Sequence, residues 1–449
     1  MISRQLQSIL VAFALVIAGL SGAWAESTLG LERAGAGYMK RLCASAPAKG
    51  SARCHVEVAT DAKGRALAMT LRPQNSTTLG VVPYYARDLW SAYYGTTTMP
   101  SPPPGARPTV AVVAAYGYPK AAADLAQYRS MNGLPPLCSA TVTSNCINFT
   151  KLNQSGVAGS YPAGNASWAQ EQALDVQMVS ALCPWCNIVL VEASSSSYAN
   201  LGKAEVTAGN VPGVVAITNS FGGAESGSSL YAASFSPSNT VINGYAGKLN
   251  PAIAVVASSG DSGYAGGAEF PSSSPYVLSV GGTRLTYAAG TWSQTAWAKA
   301  GSGCSKVYSQ MAWQSPVLPS TSCVGRVATD VSAVADINTG VLSVYRGVLY
   351  RYGGTSVGAP IIAGIIAQRN QPISLTVNSG TVSSSTYPTP GGANVASGYG
   401  KNLYAQRGAL RDVTSGKTGI CSVGFLCNAG TGYDGPTGLG TPNGSFSPF

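Results

Sequence analysis

The chain has 449 residues, 45 % of them apolar, enough for one large domain or two ordinary ones. Its formal charge is +10, yet only 10 % of residues are charged, and the excess comes from a scarcity of acids, 17 against 27 Lys and Arg. The bases are scattered without the dense clusters that nucleic acid or anionic membranes require, so neither partner is expected. In so acid-poor a chain, each carboxylate inside a motif carries more information.

The first residues read as an export signal over 1–25. Arg4 supplies the positive start, Ile9 to Leu20 the apolar core, and Ala23-Trp24-Ala25 a small-x-small cleavage site. A membrane anchor is the competing reading, but the run is short and no second stretch of about 18 apolar residues occurs further on. The expectation is a secreted chain, extracellular or periplasmic, with no membrane contact once the signal is removed. Ten cysteines then suit an oxidising compartment. They fall into the neighbouring pairs Cys43/Cys54, Cys138/Cys146, Cys183/Cys186, Cys304/Cys323 and Cys421/Cys427. Spacing leaves their connectivity open. Cys183-Pro184-Trp185-Cys186 can also be read as a redox motif or half a zinc site. No second CxxC exists and the only histidine is His55, which favours simple loop closure.

Residues 26–80, with Cys43, Cys54 and His55, differ in texture from the rest of the chain and read as a short N-terminal pro-segment or cap. The main domain is expected over 81–449, with surface loops at Met99–Pro108 and Ser374–Ser397. Thr109–Ala115 is a β-branched strand. Gln170–Leu182 has apolar residues at helical spacing. Ile188–Val191, Val214–Thr218, Ala252–Ala257 and Tyr276–Val280 are further apolar runs, and Ala359–Gln368 is a helix. Continuous apolar strands separated by helices predict an α/β fold, a mostly parallel central sheet with helices on both faces. Functional loops then lie past the strands' carboxyl ends, at Asn219–Gly223, Ser258–Gly263 and Gly353–Ser356.

The chemistry-bearing residues sit at those loops and on the first of the helices. In Gly353-Gly354-Thr355-Ser356 the glycines permit a tight turn, and a serine opening a helix has free N–H groups beside its hydroxyl. That suits a nucleophile with an oxyanion site; a simple helix cap is the alternative. Glu171 and Asp175 stand at i and i+4 on one helix face, where like charges are mildly unfavourable. Glu171 could take the Ser356 proton, with Asp175 orienting Glu171 and sharing that proton. A solvated acidic face is the competing reading. Asp261, in Ser258-Ser259-Gly260-Asp261-Ser262-Gly263, comes directly after a buried strand; in its acid form it could donate to a developing oxyanion, or it is an ordinary turn aspartate.

Gly354-Thr355-Ser356 with Pro360 behind it resembles both subtilisins and sedolisins. Subtilisins need a histidine base, and no histidine lies beyond His55. The ordered set Glu171-x-x-Leu174-Asp175, Asn219-Ser220-Phe221-Gly222, Ser258 to Gly263, Phe270 to Thr283, Asp330-Val331-Ser332 and Ser356 resembles the sedolisin, or serine-carboxyl peptidase, family from about Val81 onward. The resemblance implies a subtilisin-like fold and polypeptide substrates cleaved at acidic pH by a monomer. It implies Glu171, Asp175 and Ser356 as triad and Asp261 as oxyanion partner. It also implies one structural Ca2+ held by Asp412, Asp434 and the carbonyls of Val413, Gly430 and Gly432. The chain departs from that pattern in its short 26–80 segment, in the Cys421/Cys427 insertion, and in Phe221 where the family commonly has Trp. Two other readings compete: a non-catalytic secreted binding protein that kept the fold, and a secreted serine esterase.

Overall fold

The computed structural model describes residues 31–35, 37–43, 47–70, 78–103, 105–235, 253–320, 322–369, 376–377, 380–381 and 398–444. The expected export signal and nearly all of the Ser374–Ser397 loop lie outside these residues. Among the described residues no helix is long and apolar enough to cross a membrane.

The central sheet is built from the apolar runs. Its strands are β1 (Thr109–Ala115), β2 (Phe149–Asn153), β3 (Asn187–Ala193), β4 (Val214–Asn219), β5 (Ala254–Ser258), β6 (Leu278–Ala288), β7 (Thr291–Ala296) and β8 (Val331–Val334). Their spatial order is β7-β6-β5-β4-β1-β3-β2, with β8 also paired to β6. All pairings are parallel except the β6–β7 hairpin. Every residue of β1 is buried, as a strand covered on both faces demands. Helix α1 (Ala166–Leu182) packs along α3 (Thr355–Arg369), while α2 (Tyr198–Gly209) covers β1, β3 and β4. Thirteen of the 15 residues of α3 are buried, so it is a core helix rather than an amphipathic one.

Chain order reverses at the β1/β4 boundary, the place where parallel α/β sheets open a crevice at their carboxyl ends. The loops after β4 and β5 and the start of α3 meet there.

The described residues between Leu31 and Thr70 fold against this body. Leu31–Ala34, Gly37–Arg41 and Glu57–Thr60 form an antiparallel sheet that continues through Val348–Gly353 into Val341–Tyr345. Arg53–Cys54 pairs with the strand Phe221–Ala224, which in turn pairs with Glu269–Phe270. All five neighbouring cysteine pairs are disulfide-bonded, including Cys183–Cys186, which closes the turn between α1 and β3.

Candidate active site

Helix α3 starts four residues earlier than apolar spacing predicts, so that Ser356 lies in its first turn. Pro360 stands inside the helix and has no N–H for the carbonyl of Ser356. That carbonyl instead faces the Ser220 hydroxyl, 3.4 Å away. Gly354, just before the helix, has φ of 102°, a conformation glycine adopts without strain. A Cβ there would stand 2.1 Å from the His55 carbonyl oxygen and 2.7 Å from Asp261 Oδ2, so the glycine keeps this corner open.

The predicted carboxylates converge on the serine. Helix α1 is capped by Asn165, whose side chain accepts from the N–H groups of Ser167 and Trp168. It delivers Glu171 and Asp175 to one buried face. Ser356 Oγ donates to Glu171 Oε2 at 2.9 Å and also lies 3.2 Å from the Ser220 carbonyl. Asp175 Oδ1 accepts from Ser220 Oγ at 2.6 Å. The remaining oxygens, Glu171 Oε1 and Asp175 Oδ2, are buried without hydrogen-bond partners. Burial, then the Asp175 charge, holds the Glu171 carboxyl well above its ordinary range, with the Ser356 hydroxyl opposing. Burial raises Asp175 likewise, against the Ser220 hydrogen bond.

Asp261 arrives from the loop after β5. Its Oδ1 accepts from the backbone N–H and the hydroxyl of Thr355, each at 2.8 Å, which fixes the carboxyl beside the turn that carries Ser356. Arg41, from the N-terminal sheet, donates to the Asp261 carbonyl at 2.7 Å.

His55 belongs to the N-terminal segment that the sequence reading sets apart as a pro-segment or cap. It lies in the cleft and is 1 % exposed. Its ring does not meet Ser356. Nδ1 is 2.7 Å from Ser258 Oγ, and Nε2 is 2.9 Å from Glu269 Oε2. Its main chain does meet the site: the N–H donates to the Ser220 carbonyl, and the carbonyl accepts the Ser356 N–H, both at 3.2 Å. On one side Arg53 and Cys54 pair with Gly222 and Phe221; on the other Glu57 and Val58 pair with Gly353 and Tyr352. The segment thus runs through the cleft as an extended strand.

Sequence reasoning missed the Ser220 hydroxyl as Asp175's partner, and Glu269 altogether. The first was signalled by a serine directly after a buried strand. The second had no signal beyond its place before Phe270-Pro271.

The residues expected to hold calcium lie together. Asp412 Oδ2 accepts from Gly432 N–H at 2.7 Å, and Asp434 Oδ2 from Gly430 N–H at 3.0 Å. Burial lifts the Asp434 carboxyl to about 7, with the Asp412 charge adding to it. No group of three or more His, Cys, Asp or Glu side chains placed to hold a metal ion together occurs among the described residues. A cation here would therefore rest on two carboxylates and main-chain oxygens, a donor set that fits a hard ion such as Ca2+.

No family model matches the chain. It is 30 % identical over 296 residues to kumamolisin of Bacillus sp. (strain MN-32), covering 61 % of this chain and 49 % of that protein. It is 27 % identical over 361 residues to sedolisin of Pseudomonas sp. (strain 101), covering 76 % of this chain and 57 % of the relative. The chain thus spans about half the length of the curated relatives it matches. Among solved structures, Pseudomonas sedolisin, a serine-carboxyl proteinase complexed with two molecules of pseudo-iodotyrostatin, superposes with a TM-score of 0.62 at 25 % identity. That match covers 82 % of this chain and 96 % of the sedolisin chain. With this architecture, the ordered motifs and these relatives in agreement, the chain is similar to the sedolisins and carries a subtilisin-like fold.

Proposed function

We propose that the chain is a secreted serine-carboxyl endopeptidase that hydrolyses polypeptides in acidic medium. The observation that carries this reading is the 2.9 Å contact between Ser356 Oγ and Glu171 Oε2 in a buried constellation whose base is a carboxylate. Glu171 takes the hydroxyl proton as Ser356 Oγ attacks the substrate's carbonyl carbon. Asp175 shares the added proton and is steadied by Ser220. The Ser356 N–H and the acid form of Asp261 stabilise the oxyanion. Glu171 returns its proton to the leaving amine, the C–N bond breaks, and water then hydrolyses the acyl-serine by the same route. A carboxylate is a weak base for an alcohol, so burial and fixed geometry must supply what basicity lacks.

Acidic operation follows from the acid form required of Asp261, while burial and the Asp175 charge, which raise the Glu171 carboxyl, make it a stronger base once ionised. Five disulfides support an oxidising, extracytoplasmic compartment. Residues 26–80 act as the pro-segment, and the Asp412/Asp434 loop holds one structural Ca2+ that adds its binding free energy to folding. The test is digestion of a denatured protein at about pH 4 by wild type and Ser356→Ala. Cleavage by wild type alone supports the proposal. Absence of cleavage by both favours a binding protein, and turnover of esters without peptides favours an esterase.

A further inference from the structure

The segment in the cleft identifies a specificity element. The carbonyl of His55 sits on the Ser356 N–H, where the acyl carbonyl of a bound substrate must lie, and its N–H is held by the Ser220 carbonyl. His55 therefore fills the subsite for the residue whose carbonyl is attacked, and Arg53 lies two residues upstream. In an extended strand side chains alternate, so residues 53 and 55 face one way and Cys54 the other, toward its disulfide with Cys43.

Both of those side chains end on a single carboxylate. Glu269 Oε1 lies 2.6 Å from Arg53 Nη2, and Oε2 lies 2.9 Å from His55 Nε2. Glu269 is 6 % exposed. The Ser258 hydroxyl has the Asn219 carbonyl 3.5 Å away to donate to, which leaves its lone pairs for His55 Nδ1–H. With Glu269 at the other nitrogen, both ring nitrogens of His55 have an oxygen partner. Gly222 makes the contact possible: a Cβ there would meet His55 Cε1 at 2.6 Å and Glu269 Oε2 at 2.8 Å. Burial pushes the Glu269 carboxyl up, but His55 and Arg53 outweigh it, and the group is held below its ordinary range. Without those two partners a buried carboxylate would be left unpaired, a costly state.

We infer that Glu269 makes the cleft select a basic residue at the position whose carbonyl is attacked and another two residues before it, a basic-x-basic pattern that the chain's own Arg53-Cys54-His55 imitates. A substrate with that pattern restores both ion pairs to Glu269. One with neutral side chains leaves the carboxylate desolvated and alone. This rests on the proposed peptidase activity and refines its substrate class.

The test compares two peptides on the full-length chain at about pH 4.5: one with Arg and His spaced as in residues 53 and 55, the other with Gln and Leu in their places. Wild type should cleave the basic peptide with kcat/KM about tenfold or more above the neutral one, a preference that Glu269→Gln collapses. Wild type that cleaves both equally, or the neutral one better, overturns this inference and leaves the peptidase reading standing. Wild type that cleaves neither peptide nor denatured protein overturns both. Retention of the preference in Glu269→Gln assigns it elsewhere and also overturns the inference. Should that variant fail to fold, the wild-type comparison decides alone.

Discussion

Glu205, on α2 beneath the strand that carries Asn219 and Ser220 to the cleft, offers a sharp test of whether this protein is built for acid. It is completely buried. Burial pushes its carboxyl from 4.5 up to about 8, and the Asn219 side chain opposes this only partly. The folded chain therefore keeps a proton that the unfolded chain sheds above its own ordinary range. Between those limits the native state binds more protons, so stability falls as pH rises, and below about 4.5 the group imposes no penalty. At about 1.4 kcal/mol per tenfold change in proton activity, with allowance for local relaxation, the loss by neutral pH is about 2–4 kcal/mol. Glu205→Gln carries no titrating proton in either state. Urea unfolding should find it within about 1 kcal/mol of wild type at about pH 4.5 and more stable by about 2–4 kcal/mol at about pH 7.5. An equal difference at both pH values, or a variant weaker at neutral pH, would refute the reasoning.

Other expectations come from the same geometry. Ser220→Ala strips Asp175 of its hydrogen-bond donor and should cost about 1–3 kcal/mol of stability, read by denaturant titration, and lower kcat more than it raises KM. Gly354→Ala forces a methyl against the His55 carbonyl and Asp261 Oδ2 in a positive-φ turn, and should lower the melting temperature and abolish turnover together. Chelation of calcium should lower the melting temperature at about pH 7, with a smaller effect in acid because Asp434, lifted to about 7, must lose its proton to bind a cation. Asp434→Asn should remove most of that chelator sensitivity.

The parallel sheet was legible because its strands are uninterrupted apolar runs, a pattern that β1, β3, β4 and β5 display without ambiguity. Helix ends were less so. Gly358 and Pro360 look like breakers around the start of Ala359–Gln368, yet a proline near a helix start forfeits little, and here the freed carbonyl faces Ser220. Helix α1 starts at Ala166 behind its Asn165 cap, ahead of Gln170, where apolar spacing begins. Glu171, Asp175, Asp261 and Ser356 could be singled out because each sits on a helix or at a strand end with a local signature. His55 and Glu269 could not, since their meeting across 214 residues depends on the N-terminal chain crossing the cleft, a tertiary event without local periodicity. The hairpins Leu31–Arg41 and β6–β7 also escaped, their strands being short or alternating rather than continuously apolar.

The central claim is that a buried carboxylate, rather than an imidazole, prepares the serine for attack. It is tested most directly by kcat of wild type and Glu171→Gln on one peptide across acidic pH. The account predicts a fall of about 10²–10⁴ in the variant at every pH, with binding little changed. Undiminished turnover in Glu171→Gln would contradict it.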